Sequence, residues 1–391
     1  MKTLLERLLG RLPIGWLQLT HNKGRFAAAV AGVAFATLLV LMQLGIQGAM
    51  KIGSLMPYSL LNADIIISAN DGSTLTDRSN IARARMFEAL GVAGVASGAP
   101  VYNGIVEFRQ PDGVPTTLQT FGFNIADKAF AAPDVAAKYD QLAIENTALI
   151  DTKTRGVDPS IFEGLIAGTP YSFEVGGQTL NAVDAIEVGG TFTADGTLFV
   201  SDQTFFRFFP SRSSGAPNHI LLKVEDGISQ DVVLERLRAK FKGQALTIDT
   251  LESFAAADLA FQTTERPTGI IFGFGVIMGA IVGIVIVYQV LSTDVADHIR
   301  EYATFKAMGY DQRFFVSIVT EEAAILAVMG YIPGLIAALG LYKVMTVLTS
   351  LPVQMDVTRV VYVFIGTLLA CALSGIIATR RLAAADPADL F

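Results

Sequence analysis

The residues able to do chemistry are few and far apart. Cys371 is the single cysteine, which excludes an internal disulfide and any multi-cysteine metal site. His21, His219 and His298 are the three histidines, and their separation argues against a zinc centre. No G-x-x-x-x-G-K-[ST] provides a phosphate-cradling loop, and neither H-E-x-x-H nor G-x-S-x-G occurs. Acidic pairs abound between residues 51 and 266, where a solvated surface accounts for them. No residue stands out as catalytic, metal-ligating or cofactor-binding. A net charge of −7 and a pI near 5.1 give no clustered basic surface for nucleic acid.

The informative stretch is Ser292–Phe315, STDVADHIREYATFKAMGYDQRFF. On a helix, Val295, Ile299 and Tyr302 fall on one stripe with Phe305 at its edge. Asp297, Arg300, Glu301 and Thr304 fall on other faces. Asp294 and Asp297 near the start and Lys306 near the end complement the helix dipole. Gly309 stands where a left-handed C-cap belongs, and Asp311 is placed to cap a following helix. Such a short amphipathic helix either docks in a groove on a partner protein or lies on a lipid surface, and the spacing fits both.

What must position this stretch is a membrane. The chain of 391 residues is 52% apolar and only 17% charged, with a mean hydropathy of +0.48. Spanning a hydrocarbon layer of about 30 Å takes roughly 20 apolar residues in a helix. Four stretches free of charge qualify, Phe26–Met50, Pro267–Thr293, Ala323–Tyr342 and Val360–Thr379, and give expected spans at 26–50, 267–291, 316–342 and 360–379. Residues 89–106 are also uncharged, but their glycines and Pro100 fit a turn and a strand. The first span lacks a clear small-x-small cleavage site after it and reads as an uncleaved anchor.

Ten of the Lys and Arg residues fall on one side: five in 1–25, three in the 292–315 loop and two in the 380–391 tail. Only Lys343 and Arg359 mark the short 343–359 connection. Both termini and the 292–315 loop are therefore expected in the cytoplasm. Residues 51–266 are then exported. They hold 17 Lys+Arg and 26 Asp+Glu, a net of −9 against +2 for the remainder, a split that anionic inner-leaflet lipids favour. Residues Lys2–Trp16 read as an amphipathic helix on that leaflet.

The exported segment reads as an α+β domain. Strands are expected at Asp64–Ser68, Val101–Phe108, Thr116–Phe123, His219–Val224 and Ala245–Ile248. Helices are expected at Ile81–Leu90, capped by Ser79, and at Gln230–Phe241. Two β-α-β-like units, one early and one late, enclose a mostly β insert at about 142–209. Phe205, Phe206, Phe208 and Phe209 read as the core of a short helix. Asp249–Arg266 reads as a helical stalk, or an ordinary linker helix, before Pro267.

Small residues mark the spans. Gly275, Gly279 and Gly283 form a doubled G-x-x-x-G, and Ala28, Gly32 and Ala36 a second small-residue face. They serve either a dimer or bundle interface that repacks, or static packing within one protomer. Gly330, Pro333 and Gly334 are expected to bend or loosen the third span. Glu321 and Glu322 read as headgroup-level or salt-bridged carboxylates, with a proton relay as the alternative.

Glu301-Tyr302-Ala303-Thr304-Phe305-Lys306-Ala307-Met308-Gly309 resembles the signature loop of FtsX-like, MacB-like ABC transporter permeases. Ile14-Gly15-Trp16-Leu17-Gln18-Leu19-Thr20, with Lys23, Arg25 and Met42-Gln43-Leu44-Gly45, looks like the DevC-type branch. The order of one span, a large exported domain and three spans matches too. The resemblance implies a non-catalytic homodimeric permease in a bacterial inner membrane, with a porter-like exported part carrying an inserted β part. A separate cytoplasmic ATPase would use the ATP and Mg, and a periplasmic membrane-fusion adaptor would lead to a TolC-like duct. It implies tripartite export of a glycolipid-like, drug or peptide substrate. The alternatives within the family are lipoprotein release and mechanical control of a periplasmic cell-wall hydrolase. Carried over by position, the ATPase-docking helix is Asp294–Gly309, including Val295, His298, Ile299, Glu301, Tyr302, Phe305 and Lys306. Tyr302 departs from the aliphatic residue common in the family.

Overall fold

Runs without charge become long helices, and the β-branched clusters between them become sheet. The computed structural model describes residues 14–110, 113–189, 194–349 and 353–383. In chain order, α1 (Ile14–His21) and α2 (Lys23–Ser59) precede β1 (Ile65–Ala69), α3 (Ala84–Leu90), β2 (Val95–Arg109) and β3 (Pro115–Phe123). Next come β4 (Thr147–Asp151), α4 (Pro159–Ile166), β5 (Tyr171–Val175), β6 (Gln178–Ile186), β7 (Gly196–Ser201) and α5 (Asp202–Phe208). β8 (His219–Val224), α6 (Gln230–Lys240), β9 (Leu246–Thr250) and α7 (Leu251–Thr264) follow. The chain ends with α8 (Pro267–Asp297), α9 (Ile299–Ala307), α10 (Gln312–Thr349) and α11 (Val357–Ala383). It divides into a helical unit (Met1–Gly48, Ile270–Val344, Val353–Phe391) and an α+β unit (Ala49–Gly269, Met345–Pro352).

In the α+β unit, β1 lies between β8 and β9 and is antiparallel to both, while β8 also pairs with the first half of β2. The resulting order β2-β8-β1-β9, with helices after β1 and β8, is a split βαββαβ arrangement. Ile65 and Ile67 pack with α3 and α6 residues such as Met86, Val233 and Leu237. Ile66 turns the other way, toward Tyr58 and Phe254. Apolar cover on both faces explains the unbroken Ile-Ile-Ile run.

The β insert starts earlier than 142. β2 serves two sheets: Val95–Val101 pairs with β8, and Tyr102–Arg109 pairs with β3. From β3 the pairing passes through β7, β4, β6 and β5, then returns to β2 at Phe108↔Val175, so six strands close on themselves. The β5–β6 hairpin turns at Gly176 and Gly177, both with positive φ, as a two-residue turn requires. Phe205 is fully buried in this insert, with Phe206, Phe208 and Phe209 packed beside it.

Two helix starts differ from expectation. α3 begins at Ala84, and Ser79 does not cap it; the Ser79 amide instead donates to Asp71 Oδ1 at 3.1 Å. α7 begins at Leu251 because Asp249 and Thr250 pair in β9 with Ile66 and Ile65. Thr250 then caps the helix, its hydroxyl accepting from Ser253 N at 3.0 Å.

His219 sits fully buried in this sheet. Its Nε2 lies 2.8 Å from the Leu75 carbonyl and its Nδ1 2.6 Å from Ser68 Oγ, which fits a neutral ring donating through Nε2. Burial pushes its pKa down to about 4. A histidine that stays neutral when folded contributes stability above the unfolded pKa near 6.5, and loses it as pH falls toward 4. The loss reaches about 3 kcal/mol over that window. Asp258 and Asp151 run the other way, since burial raises both carboxyls: the folded state takes up their protons first. His219→Gln should therefore flatten the acid-side fall in hydrogen-exchange protection of β1 and β8 between about pH 6.5 and pH 4. An unchanged slope would contradict this assignment.

Among the described residues, four helices are long and apolar enough to cross a membrane: Lys23–Ser59, Pro267–Asp297, Arg313–Leu348 and Val357–Ala378. Each includes most or all of one expected span. Pro333 lies inside α10, and the assigned helix continues through it.

Candidate functional site

α8 does not end with its apolar run at 291; it continues to Asp297. His298, at φ −96° and ψ 14°, leaves the helix and starts α9. The expected single helix over Asp294–Gly309 is therefore two helices meeting at a corner. α9 closes in a Schellman motif: Tyr310 N donates to Phe305 O at 3.2 Å and Gly309 N to Lys306 O at 3.1 Å. Gly309 has φ +94°, a conformation that a side chain resists. Asp311 Oδ1 accepts from Arg313 N at 2.9 Å and Phe314 N at 3.2 Å, which starts α10.

The apolar stripe faces its own helices. Val295 is buried beside Leu291, Phe315 and Ile318, and Ile299 and Phe305 are half-buried against the same cluster. The side chains of Asp294 and Tyr302 lie outside the described residues. Among the described side chains, the turn presents outward Glu301, Thr304, Met308, Tyr310, Asp311 and Arg313. Met308 is 60% and Tyr310 46% exposed. Neither was among the expected contacts: Tyr310 lies beyond the helix expected to end at Gly309, and Met308, inside it, falls away from the Val295–Ile299–Tyr302 stripe. Tyr310 is stiffened by ring contacts to Phe314 at 4.5 Å and Phe305 at 5.6 Å.

Neighbouring helices brace the corner. Arg25 near the start of α2 forms an ion pair with Asp297 at the end of α8. Both partners are partly exposed, so the pair is worth at most about 1 kcal/mol, but it fixes which residues meet. A polar cavity of about 150 Å3 lies between them, lined by Gln18, His21, Asn22 and His298 among others. α1 packs on the bundle: Leu19 is buried with Phe315, and Trp16 meets Phe26 edge-on at 6.1 Å. A Cβ on Gly15 would stand 2.9 Å from Glu322 Cγ. Glu322 is fully buried and Glu321 nearly so. Of the expected amphipathic helix Lys2–Trp16, residues 1–13 lie outside the described residues.

The small residues form a seam within one protomer. Added Cβ atoms on Gly279 and Gly283 would meet Val40 and Ala36 of α2 at 3.0 Å, Gly275 faces Gln43, and Gly32 faces Ile286. Ala28 is exposed, outside that seam. Gly330 and Gly334 of α10 meet Val33 and Ala34 of α2, so they set a close approach. Among the described residues no group of three or more His, Cys, Asp or Glu is placed to hold a metal. The turn offers a shaped contact surface.

Residues 273–387 match the FtsX-like permease C-terminal family. The FtsX-like region takes in the α8–α9 corner, the exposed Met308 and Tyr310, and three of the four apolar helices. It supports reading the chain as a multi-pass membrane protein and a permease subunit. No curated protein matches the chain.

Solved structures similar to it include the periplasmic region of MacB from Actinobacillus actinomycetemcomitans. That likeness has a TM-score of 0.34 at 10% identity and covers 53% of this chain and 96% of that one. The extracellular domain of the noncanonic ABC-type transporter YknZ from Gram-positive bacteria gives 0.32 at 12%, covering 48% and 98%. A domain of a putative permease protein from Porphyromonas gingivalis gives 0.28 at 12%, covering 50% and 89%.

Proposed function

We propose that this chain is the permease subunit of an ATP-driven ABC exporter, working as a homodimer with a separate cytoplasmic ATPase that docks on the α8–α9–α10 turn. The observation that carries this reading is the FtsX-like match across that turn, where a braced corner presents Met308 and Tyr310 to solvent. A sequence without a phosphate-cradling loop of its own agrees with a partner that supplies the nucleotide chemistry.

In this reading ATPase closure moves the α8–α9 corner, and α2 and α8 relay the movement to the α+β unit on the periplasmic side. The chain would lie in a bacterial inner membrane with both termini in the cytoplasm, as the Lys and Arg distribution favours. A DevC-type assembly, with a membrane-fusion adaptor, a TolC-like duct and a lipophilic or amphipathic substrate, is the finer form of the proposal. It rests on the resemblance of residues 13–45 and 292–312.

Aromatic and other large side chains at the centre of an interface often contribute about 2 kcal/mol or more each, roughly 30-fold in affinity. Met308→Asp with Tyr310→Asp should therefore reduce recovery of the co-expressed ATPase on the purified permease at least tenfold, with the helical unit still folded. Equal recovery from the variant would refute docking at this surface.

A further inference from the structure

The polar cavity beside the α8–α9 corner has two kinds of wall. Phe26 and Val290 are among its apolar residues, and His21, Arg25, Asp297 and His298 among its polar ones. Phe26 is the first residue of the uncharged run 26–50, and Val290 stands near the end of the run 267–293. The cavity therefore sits where α2 and α8 both leave their apolar stretches. With those stretches in hydrocarbon, it lies at the depth of lipid headgroups.

Its charges narrow the ligand. Arg25 and Asp297 hold each other on its wall, with 37% and 47% of their side chains exposed. A guanidinium donates through five N–H groups, and a carboxylate accepts at both oxygens. Each can keep its partner and still take one more group of opposite charge. A ligand that is only anionic would face Asp297, and one that is only cationic would face Arg25, each with like-charge repulsion. A zwitterion satisfies both. The His21 imidazole brings a further N–H donor for the anionic end. A volume of about 150 Å3 suits a small polar headgroup, and the apolar wall leads from it toward the hydrocarbon.

We propose that this cavity binds the phosphoethanolamine headgroup of an aminophospholipid from the surrounding bilayer, its phosphate on Arg25 and His21 and its ammonium on Asp297. The site goes beyond ATPase docking and depends only on α2 and α8 crossing a bilayer. A primary ammonium has three N–H donors for the carboxylate. The trimethylammonium of a choline headgroup has none.

The test is native mass spectrometry of the full-length protein, released from detergent carrying equal amounts of phosphatidylethanolamine, phosphatidylglycerol and phosphatidylcholine. The first lipid retained should be phosphatidylethanolamine, by about fivefold or more over either competitor, the effect of one charge-assisted contact. Asp297→Asn keeps the side-chain shape, removes the charge, and should abolish that preference. His21→Phe leaves the Arg25–Asp297 pair in place, guards against a folding defect, and should lower retention about threefold. Glycerophosphoethanolamine, which is the headgroup without tails, should displace the lipid only at roughly 100-fold excess, since it forgoes the apolar contact of a few methylenes. Displacement at equal concentration would overturn a bilayer lipid as the occupant. Preferential retention of phosphatidylglycerol, equal retention of all three lipids, or a preference unchanged in both variants would overturn the proposal.

Discussion

Asp258→Ala should destabilise the α+β unit by about 3 kcal/mol, because the lost carboxylate satisfies several buried donors at once. Asp258 is 2% exposed on α7. Its Oδ2 accepts from the Tyr58 hydroxyl at 2.6 Å and from Leu75 N at 3.0 Å, and its Oδ1 from Gln262 Nε2 at 3.0 Å. Tyr58 is in the last turn of α2, so this cluster ties the end of α2, the loop at Leu75 and α7 together. Phe254 beside it carries the Arg78 guanidinium 4.4 Å from its ring centre.

Tyr58→Phe removes one donor and should cost about 1 kcal/mol. Effects within such a network are coupled, so the double variant should fall short of the sum. Faster hydrogen exchange in α7 and the last turns of α2, measured in the full-length protein, would show the loss. Exchange rates equal to the parent's would mean that Asp258 does not hold these elements. If the α2 and α7 ends move as one in a transport cycle, Asp258→Ala should also uncouple ATP hydrolysis from export.

The second large effect lies among the apolar helices. A Cβ on Gly334 would stand 2.6 Å from the Ala34 carbonyl oxygen and 3.2 Å from its Cα. Backbone atoms cannot turn aside as a flexible side chain can, so Gly334→Leu must push α2 and α10 apart. A penalty of about 3 kcal/mol or more is expected, at the upper end of overpacking effects. Gly340→Leu is the comparison, since nothing lies within 4 Å of a Cβ there. Thermal denaturation in detergent should drop for Gly334→Leu and hardly change for Gly340→Leu. Equal midpoints would show that the α2–α10 approach is loose.

Much of this architecture is legible without coordinates. A helix in hydrocarbon must be long and nearly uncharged, so the runs at 26–50, 267–293, 323–342 and 360–379 announce themselves. The strand His219–Val224 is bounded by local turn chemistry and has the expected limits. The sharing of β2 between two sheets was hidden, because pairing partners are chosen by distant segments. Asp249 and Thr250 look helical until their pairing with Ile66 and Ile65 is known.

The turn after α8 shows the same limit. Gly309 and Asp311 declare themselves as caps by residue type. The corner at His298 depends on packing of Val295 and Ile299 against neighbours that the local pattern does not name. Periodicity finds an apolar stripe, and tertiary context decides whether it faces inward or outward. Thus Met308, off the apolar stripe of the expected helix, and Tyr310, beyond its end, are exposed apolar groups of the turn.

The most direct measurement places a photo-crosslinking benzoylphenylalanine at Tyr310, with another at outward-facing Ile336 as the lipid-side control. On illumination with ATP and Mg present, the Tyr310 position should join covalently to a nucleotide-binding protein and the Ile336 position should not. Adducts from Tyr310 to lipid alone, with the ATPase present and nucleotide bound, would contradict the docking of a separate motor on this turn.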